Sequence, residues 1–208
     1  MAVVEQRVRN VGILLFENAE LLDFAGPYEA FSSAGRYGGR DYFNTFTVGE
    51  RKGTITSFNG LPCGVEYDFG DAPHIDILLV PGGQGTRTEI DNPAVMDWIK
   101  KTGDEAELVT SVCTGSFLLA RAGFLSGKQA TTHWGSIERM REAFPDVEVL
   151  EQVRFVDADD VVTSAGVSAG IDMSLHVIER LCGRDAAESS ARLMEYDYWQ
   201  AGEPVAAD

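Results

Sequence analysis

Cysteine is scarce in this 208-residue chain, and the three present are far apart: Cys63, Cys113 and Cys182. No C-x-x-C pair occurs, which argues against a zinc knuckle or a thioredoxin-type site. Histidine is equally thin, with His74, His133 and His176 the full set. No apolar run approaches the roughly 20 residues of a membrane-spanning helix. The start, MAVVEQRVRNVGILLF, has neither the long apolar segment nor the small-residue cleavage site of a secretory leader. Reduced thiols in a cytoplasmic setting are therefore expected. Positive charge is also short: 17 Lys and Arg face 33 Asp and Glu, a formal net charge of −16. That balance repels phosphate backbones and anionic lipid, so nucleic-acid and membrane-surface partners are disfavoured. With no internal repeat, low-complexity tract or Pro/Ser-rich linker, residues 1–208 read as one domain. A domain of this size buries about 70% of its extended-chain surface and needs no disulfide staple.

What is present is an alternation of apolar runs and helical patterns. VGILLF (11–16) reads as a buried strand and PYEAFSSAG (27–35) as helical; FNTFTVGE (43–50) is a second strand. The glycine-rich region 52–70 looks like a turn-rich β excursion, and IDILLVPGG (75–83) like an apolar strand ending in two glycines. NPAVMDWIKKTG (92–103) has Asn92 as cap and Pro93 at the first helical position. LVTSVC (108–113) is the next strand, and SFLLARAG (116–123) a short helix stopped by Gly123. QATTHW (129–134) reads as a strand and SIERMREAF (136–144) as an amphipathic helix. VEVLEQVRFV and DVVTSAG read as strands joined by the acidic turn DADD (157–160), and two helices complete the pattern through residue 196. Strands apolar throughout, alternating with helices, imply an α/β fold whose mostly parallel sheet is covered on both faces. Function in such folds gathers at the carboxyl ends of the strands, where P-G-G, C-T-G and S-A-G fall here.

Cys113 lies where a strand gives way directly to a helix, with Gly115 two residues on. That is the logic of a nucleophile elbow, which lifts a side chain above the sheet. The free N–H groups of the following helix favour thiolate over thiol, so a pKa below the usual ~8.5 is expected. The N–H of Thr114 is placed to stabilise a developing anion, and the Gly82–Gly83 pair offers a second donor. Buried cysteines are most often small apolar filler, and Cys63 and Cys182 are read that way.

An acid or base is still required. His74 precedes its strand, at the wrong edge, and His176 lies within a helical pattern. His133, in TTHWG, falls at the end of an expected strand, from which it reaches toward the site. Asp23, in LLDFAGPYEAF, is a carboxylate among apolar neighbours just before Gly26 and Pro27. It is either a helix cap or a partly buried group with a raised pKa that shuttles a proton beside the thiol.

LLDFAGPYEAF, DILLVPGGQG, TSVCTGSFLLARAGFLSGKQATTHW and TSAGVSAGIDMSLHVIE occur in that order. Together, over roughly residues 10–182, they resemble the isocyanide hydratase branch of the PfpI-type, class I glutamine-amidotransferase-like superfamily. The resemblance implies a flavodoxin-like three-layer sandwich, usually a homodimer, with Cys113 as nucleophile and Asp23 as its acidic partner. Protease, amidase and glyoxalase-like members commonly carry histidine directly after the cysteine; Thr114 stands there, as in isocyanide hydratases. The implied reaction adds water to a small-molecule isocyanide, giving an N-substituted formamide with no metal or organic cofactor. The tail EYDYWQAGEPVAAD (195–208) departs from the proline-rich segment of that branch. Two other implied roles are a ligand sensor like the amino-terminal domains of AraC-type regulators, and a cysteine-dependent amidase, glyoxalase or redox-stress protein. From the acidic tail ending at 208, no appended basic DNA-binding module of the kind those regulators carry is expected.

Overall fold

RNVGIL (β1, Arg9–Leu14) is apolar enough to be buried on both faces, and it forms the middle of the sheet. The computed structural model describes residues 7–36 and 39–196. On one side β1 pairs in parallel with β2 (Phe43–Gly49), which carries the short β5 (Tyr67–Asp68). On the other it pairs with β6 (Ile77–Val80), followed by β7 (Leu108–Val112) and β11 (Val161–Ser164), all parallel. An antiparallel edge strand, β10 (Phe155–Asp157), closes that end. The order is β10-β11-β7-β6-β1-β2-β5, a mostly parallel central sheet flanked by helices in the flavodoxin-like three-layer manner. Helices α1 (Leu21–Ser33), α6 (Ala169–Cys182) and α7 (Arg184–Leu193) pack on one another as one layer. Helices α3 (Pro93–Glu105) and α4 (Gly115–Arg121) pack together, and α4 lies against β6 and β7.

Three expectations need correction. The first helix begins at Leu21, not at Pro27, and Pro27 lies inside it. Pro27 forgoes a helical N–H there, and Gly26 beside it is required by packing, since a Cβ would stand 2.9 Å from Ile171 of α6. The stretch 129–134 is not one strand. Only β8 (Gln129–Ala130) is extended, and it pairs with β9 (Glu148–Val149) outside the main sheet. The run 147–156 is likewise broken, between β9 and β10, with Gln152 in the left-handed region at φ 59°. The excursion at 52–70 contains a hairpin, β3 (Gly53–Thr56) with β4 (Pro62–Val65). Asn92 caps α3 as expected, its side chain accepting the N–H of Ala94 at 3.1 Å. Among the described residues no helix is long and apolar enough to cross a membrane. Glu195 and Tyr196 are described; the remainder of the tail, 197–208, lies outside the described residues.

Candidate active site

The strand order changes direction at β1, whose neighbours β2 and β6 lie on opposite sides. A crevice opens at such a switch point, outside the carboxyl ends of the strands. Asp23 follows β1, Gly82 follows β6, Cys113 follows β7 and Val167 follows β11. Four separate loops thus bring their residues to one place.

Cys113 occupies the left-handed region at φ 57°, where a side chain is strained. Hydrogen bonds from every side hold it. Its N–H is shared between Ser164 O at 3.2 Å and Ala165 O at 3.1 Å. Its carbonyl accepts the hydroxyls of Ser116 and Thr132, each at 3.0 Å. The turn also needs Gly115, since a Cβ there would stand 2.1 Å from Val80 O. Strand β7 therefore passes into α4 with the thiol raised at the corner, and the side chain is 6% exposed. This is the elbow expected from the sequence.

Asp23, 0% exposed, sits in the first turn of α1. Its Oδ2 accepts the N–H of Gly82 at 2.9 Å, across from its own helix, while Oδ1 makes no hydrogen bond. The capping role is thus not the one it fills. Burial pushes its pKa up to about 7, against the opposing pull of the Gly82 N–H. The nearby charge of Glu20 raises it further; the Cys113 thiol and the Val167 N–H lower it. An unpartnered buried oxygen beside a thiol is a proton-accepting position.

The expectation of a helix-activated thiolate is overturned. Burial first, and the charge of Asp23 second, push the Cys113 thiol up to about 12. The N–H and side chain of Thr114 pull the other way without winning. A helix of seven residues behind a buried sulfur does not outweigh desolvation beside a carboxylate. Cys63 and Cys182 are half-buried, and burial raises both of those thiols as well.

Gly83 does not serve as a free donor. Its N–H goes to Thr114 Oγ1 at 3.1 Å, and the Gly82 N–H goes to Asp23, so both glycine donors are engaged. Gly82 is required for space: a Cβ there would lie 2.5 Å from Thr114 N and 2.8 Å from Asp23 Oδ2. Thr86 Oγ1 also donates to Thr114 Oγ1, at 3.2 Å, in the short helix α2 (Thr86–Glu89).

His133 is not at a strand end in the main sheet. It leads a 3-10 turn at 134–136, its Nδ1 accepts the Gly135 N–H at 3.1 Å, and its ring rests against Gly166. Neither Asp23 nor Cys113 is among its hydrogen-bond partners. His74 pairs with Asp76 at 3.5 Å at the amino end of β6, and His176 with Asp157 at 2.7 Å. Among the described residues no three His, Cys, Asp or Glu side chains form a cluster able to hold a metal ion.

Sequence reasoning missed Val167. It is β-branched yet sits at φ 54°, an unusual conformation that brings its N–H beside Asp23. Only the S-A-G strand end pointed toward it. Thr132 was also missed, because T-T-H-W drew attention to the histidine; the threonine is what holds the elbow.

Residues 9–180 match the family model described as DJ-1/PfpI family. An isonitrile hydratase of Pseudomonas putida is 33% identical over 187 residues, covering 89% of this chain and 78% of that protein. The HTH-type transcriptional regulator GbdR of Pseudomonas aeruginosa is 29% identical, covering 91% of this chain. The chain spans about half of that regulator's length, at 51%. A solved THiJ/PfpI family protein from Pseudomonas syringae superposes with a TM-score of 0.82 at 28% identity, covering 95% of this chain and 80% of that one. With a family model spanning most of the sequence, and a sheet and elbow to match, this chain belongs to the DJ-1/PfpI family.

Proposed function

We propose that this protein is a cysteine-dependent enzyme of the isocyanide hydratase type, a lyase that converts R–N≡C and water to R–NH–CHO. The observation that carries the reading is the pairing of Cys113 on a strained elbow with a buried Asp23 whose pKa is pushed up to about 7, with no imidazole bonded to either. The 33% identity to an isonitrile hydratase supports it.

In this mechanism the Cys113 sulfur forms a bond to the terminal isocyanide carbon while its proton passes to Asp23 Oδ1. Asp23 returns the proton to the substrate, leaving Cys–S–CH=N–R on the enzyme. A carboxylate near its pKa at neutral pH is suited to both directions of transfer. The same carboxylate then takes a proton from water as the water oxygen attacks the imidate carbon. Asp23 passes that proton to the nitrogen; the C–S bond then breaks as the carbonyl forms, the hydroxyl proton returns to the sulfur, and the formamide leaves. The Thr114 N–H, which favours negative charge on the sulfur, assists attack and departure. Gly83 contributes by holding Thr114 in place rather than as an oxyanion donor.

The test is formamide production from several isocyanides, neutral and acid-bearing, by the purified protein and by Cys113→Ala. Product forming no faster than in buffer would defeat the proposal. The reading carries with it a single domain, a homodimer and a cytoplasmic setting, which limited proteolysis, light scattering and fractionation examine. A second reading, ligand sensing without turnover, is supported by the 29% identity to GbdR. It forecasts saturable binding of a small molecule with no turnover.

A further inference from the structure

Two arginines lie beside residues that contact the elbow of Cys113, in a chain whose formal net charge is −16. Arg139 is exposed on α5 (Ile137–Ala143), and its guanidinium carbon stands 4.3 Å from the centroid of Phe117, one turn beyond the elbow in α4. The adjacent Met140 accepts from Ser116 at 3.6 Å, which fixes α5 against that same turn. Arg87, exposed on α2, follows Thr86, whose hydroxyl reaches Thr114 at 3.2 Å. Each arginine is therefore one residue from a side chain that touches the elbow or its first turn.

Neither arginine is in an ion pair among the described residues. On their own helices Glu138 is engaged with Arg141 at 2.6 Å and Glu89 with Asn92 at 2.9 Å, and Glu142 makes no ion pair with Arg139 among the described residues. Burial lowers the pKa of Arg139, the charge of Arg87 lowers it further, and the Cys113 sulfur opposes both. These three groups thus share one local field. Two like charges converging without a counter-ion destabilise the free protein unless a ligand supplies the negative charge.

We propose that Arg87 and Arg139 bind an anionic group, a carboxylate or phosphate, on the small molecule that meets Cys113. Resting on the hydratase reading above, the substrate is an isocyanide that carries an acid group. A neutral alkyl isocyanide leaves the two charges unanswered.

The first measurement does not depend on turnover. A Cys63→Ser, Cys182→Ser background leaves Cys113 as the sole thiol. It is treated with 2-sulfonatoethyl or 2-(trimethylammonio)ethyl methanethiosulfonate, which differ in charge. In each, the Cys113 sulfur displaces methanesulfinate, the reagent S–S bond breaks, a mixed disulfide forms, and the thiol proton is released to solvent. Relative to the same ratio for 2-mercaptoethanol, the anionic reagent should be favoured by roughly 10-fold at low salt. Arg87→Gln and Arg139→Gln should each reduce that preference, and the double substitution should abolish it. A ratio at or below that of the free thiol, or one that both substitutions leave unmoved, overturns the proposal. So does failure of the anionic reagent to modify Cys113. The second measurement compares isocyanoacetate with its ethyl ester. A kcat/KM preference for the anion that falls in Arg87→Gln supports the full proposal, and a preference for the ester rejects it. Charge selection in the first measurement with no hydration of either compound leaves the anion site standing and rejects the hydratase.

Discussion

Thr114 Oγ1 accepts the N–H of Gly83 at 3.1 Å, tying the nucleophile loop to the loop after β6. Thr114 thus serves as a latch between the two loops. The hydroxyl receives Thr86 Oγ1 as well, so one side chain ties the elbow both to the loop after β6 and to the start of α2. Thr114→Val keeps the shape and removes the acceptor. It is expected to cost about 1–2 kcal/mol in urea unfolding, with Thr114→Ser staying within about 0.5 kcal/mol of the parent. Equal stability for the valine and serine variants would show that the latch contributes nothing.

Gly82 tests whether close approach, rather than backbone freedom, decides the site. Its φ is not in the left-handed region, yet a Cβ would stand 2.8 Å from both Asp23 Oδ2 and Cys113 Cβ. Gly82→Ala is expected to lose about 1–3 kcal/mol and to abolish hydration by separating Asp23 from Cys113. Gly64→Ala, where no atom lies within 4 Å, serves as the control and is expected to unfold near the parent midpoint.

The raised pKa of Asp23 fixes the sign of a stability effect. The folded protein keeps that proton up to about pH 7, whereas the unfolded chain releases it near 3.8. Between those values the folded state binds more protons, so this group's contribution to stability falls as pH rises from about 4 to about 7 and is level above. Asp23→Asn removes that slope. Urea midpoints at pH 5 and pH 8 should therefore converge in the variant relative to the parent. Parallel shifts of both proteins between the two pH values would reject a raised Asp23.

Much of this was legible in the sequence, and the failures have identifiable causes. The apolar runs β1, β6, β7 and β11 announced a buried parallel sheet because each is apolar along its length. Strand–Cys–Thr–Gly–helix announced the elbow because few local structures accommodate it. The start of α1 was missed because Pro27 reads as a helix opening, whereas it lies inside the helix. The break in 147–156 was hidden because periodicity does not show where a run leaves the main sheet. The thiol's pKa was misjudged for a different reason. Helix position is local and visible in sequence, whereas burial and the approach of Asp23 from 90 positions away are tertiary.

That tertiary pairing gives Asp23→Asn two readouts that move in opposite directions. Asp23 raises the Cys113 pKa through its charge, second only to burial. Removing the charge should lower the thiol pKa and speed alkylation of Cys113 by iodoacetamide at pH 8. In the parent that reaction should run at least ~10 times slower than with a free thiol of pKa ~8.5, because the thiolate is scarce. Hydration should nevertheless fall by about 10²–10⁴-fold, the usual contribution of a positioned acid–base group. A structural role would not divide the readouts in this way, since a distorted site slows both or exposes all three cysteines together. Mass-spectrometric rates for Cys113, Cys63 and Cys182 in parent and variant, beside formamide yields, separate the cases. Slower alkylation together with slower hydration in Asp23→Asn would reject the division of readouts, and with it the charge of Asp23 as a cause of the raised thiol pKa.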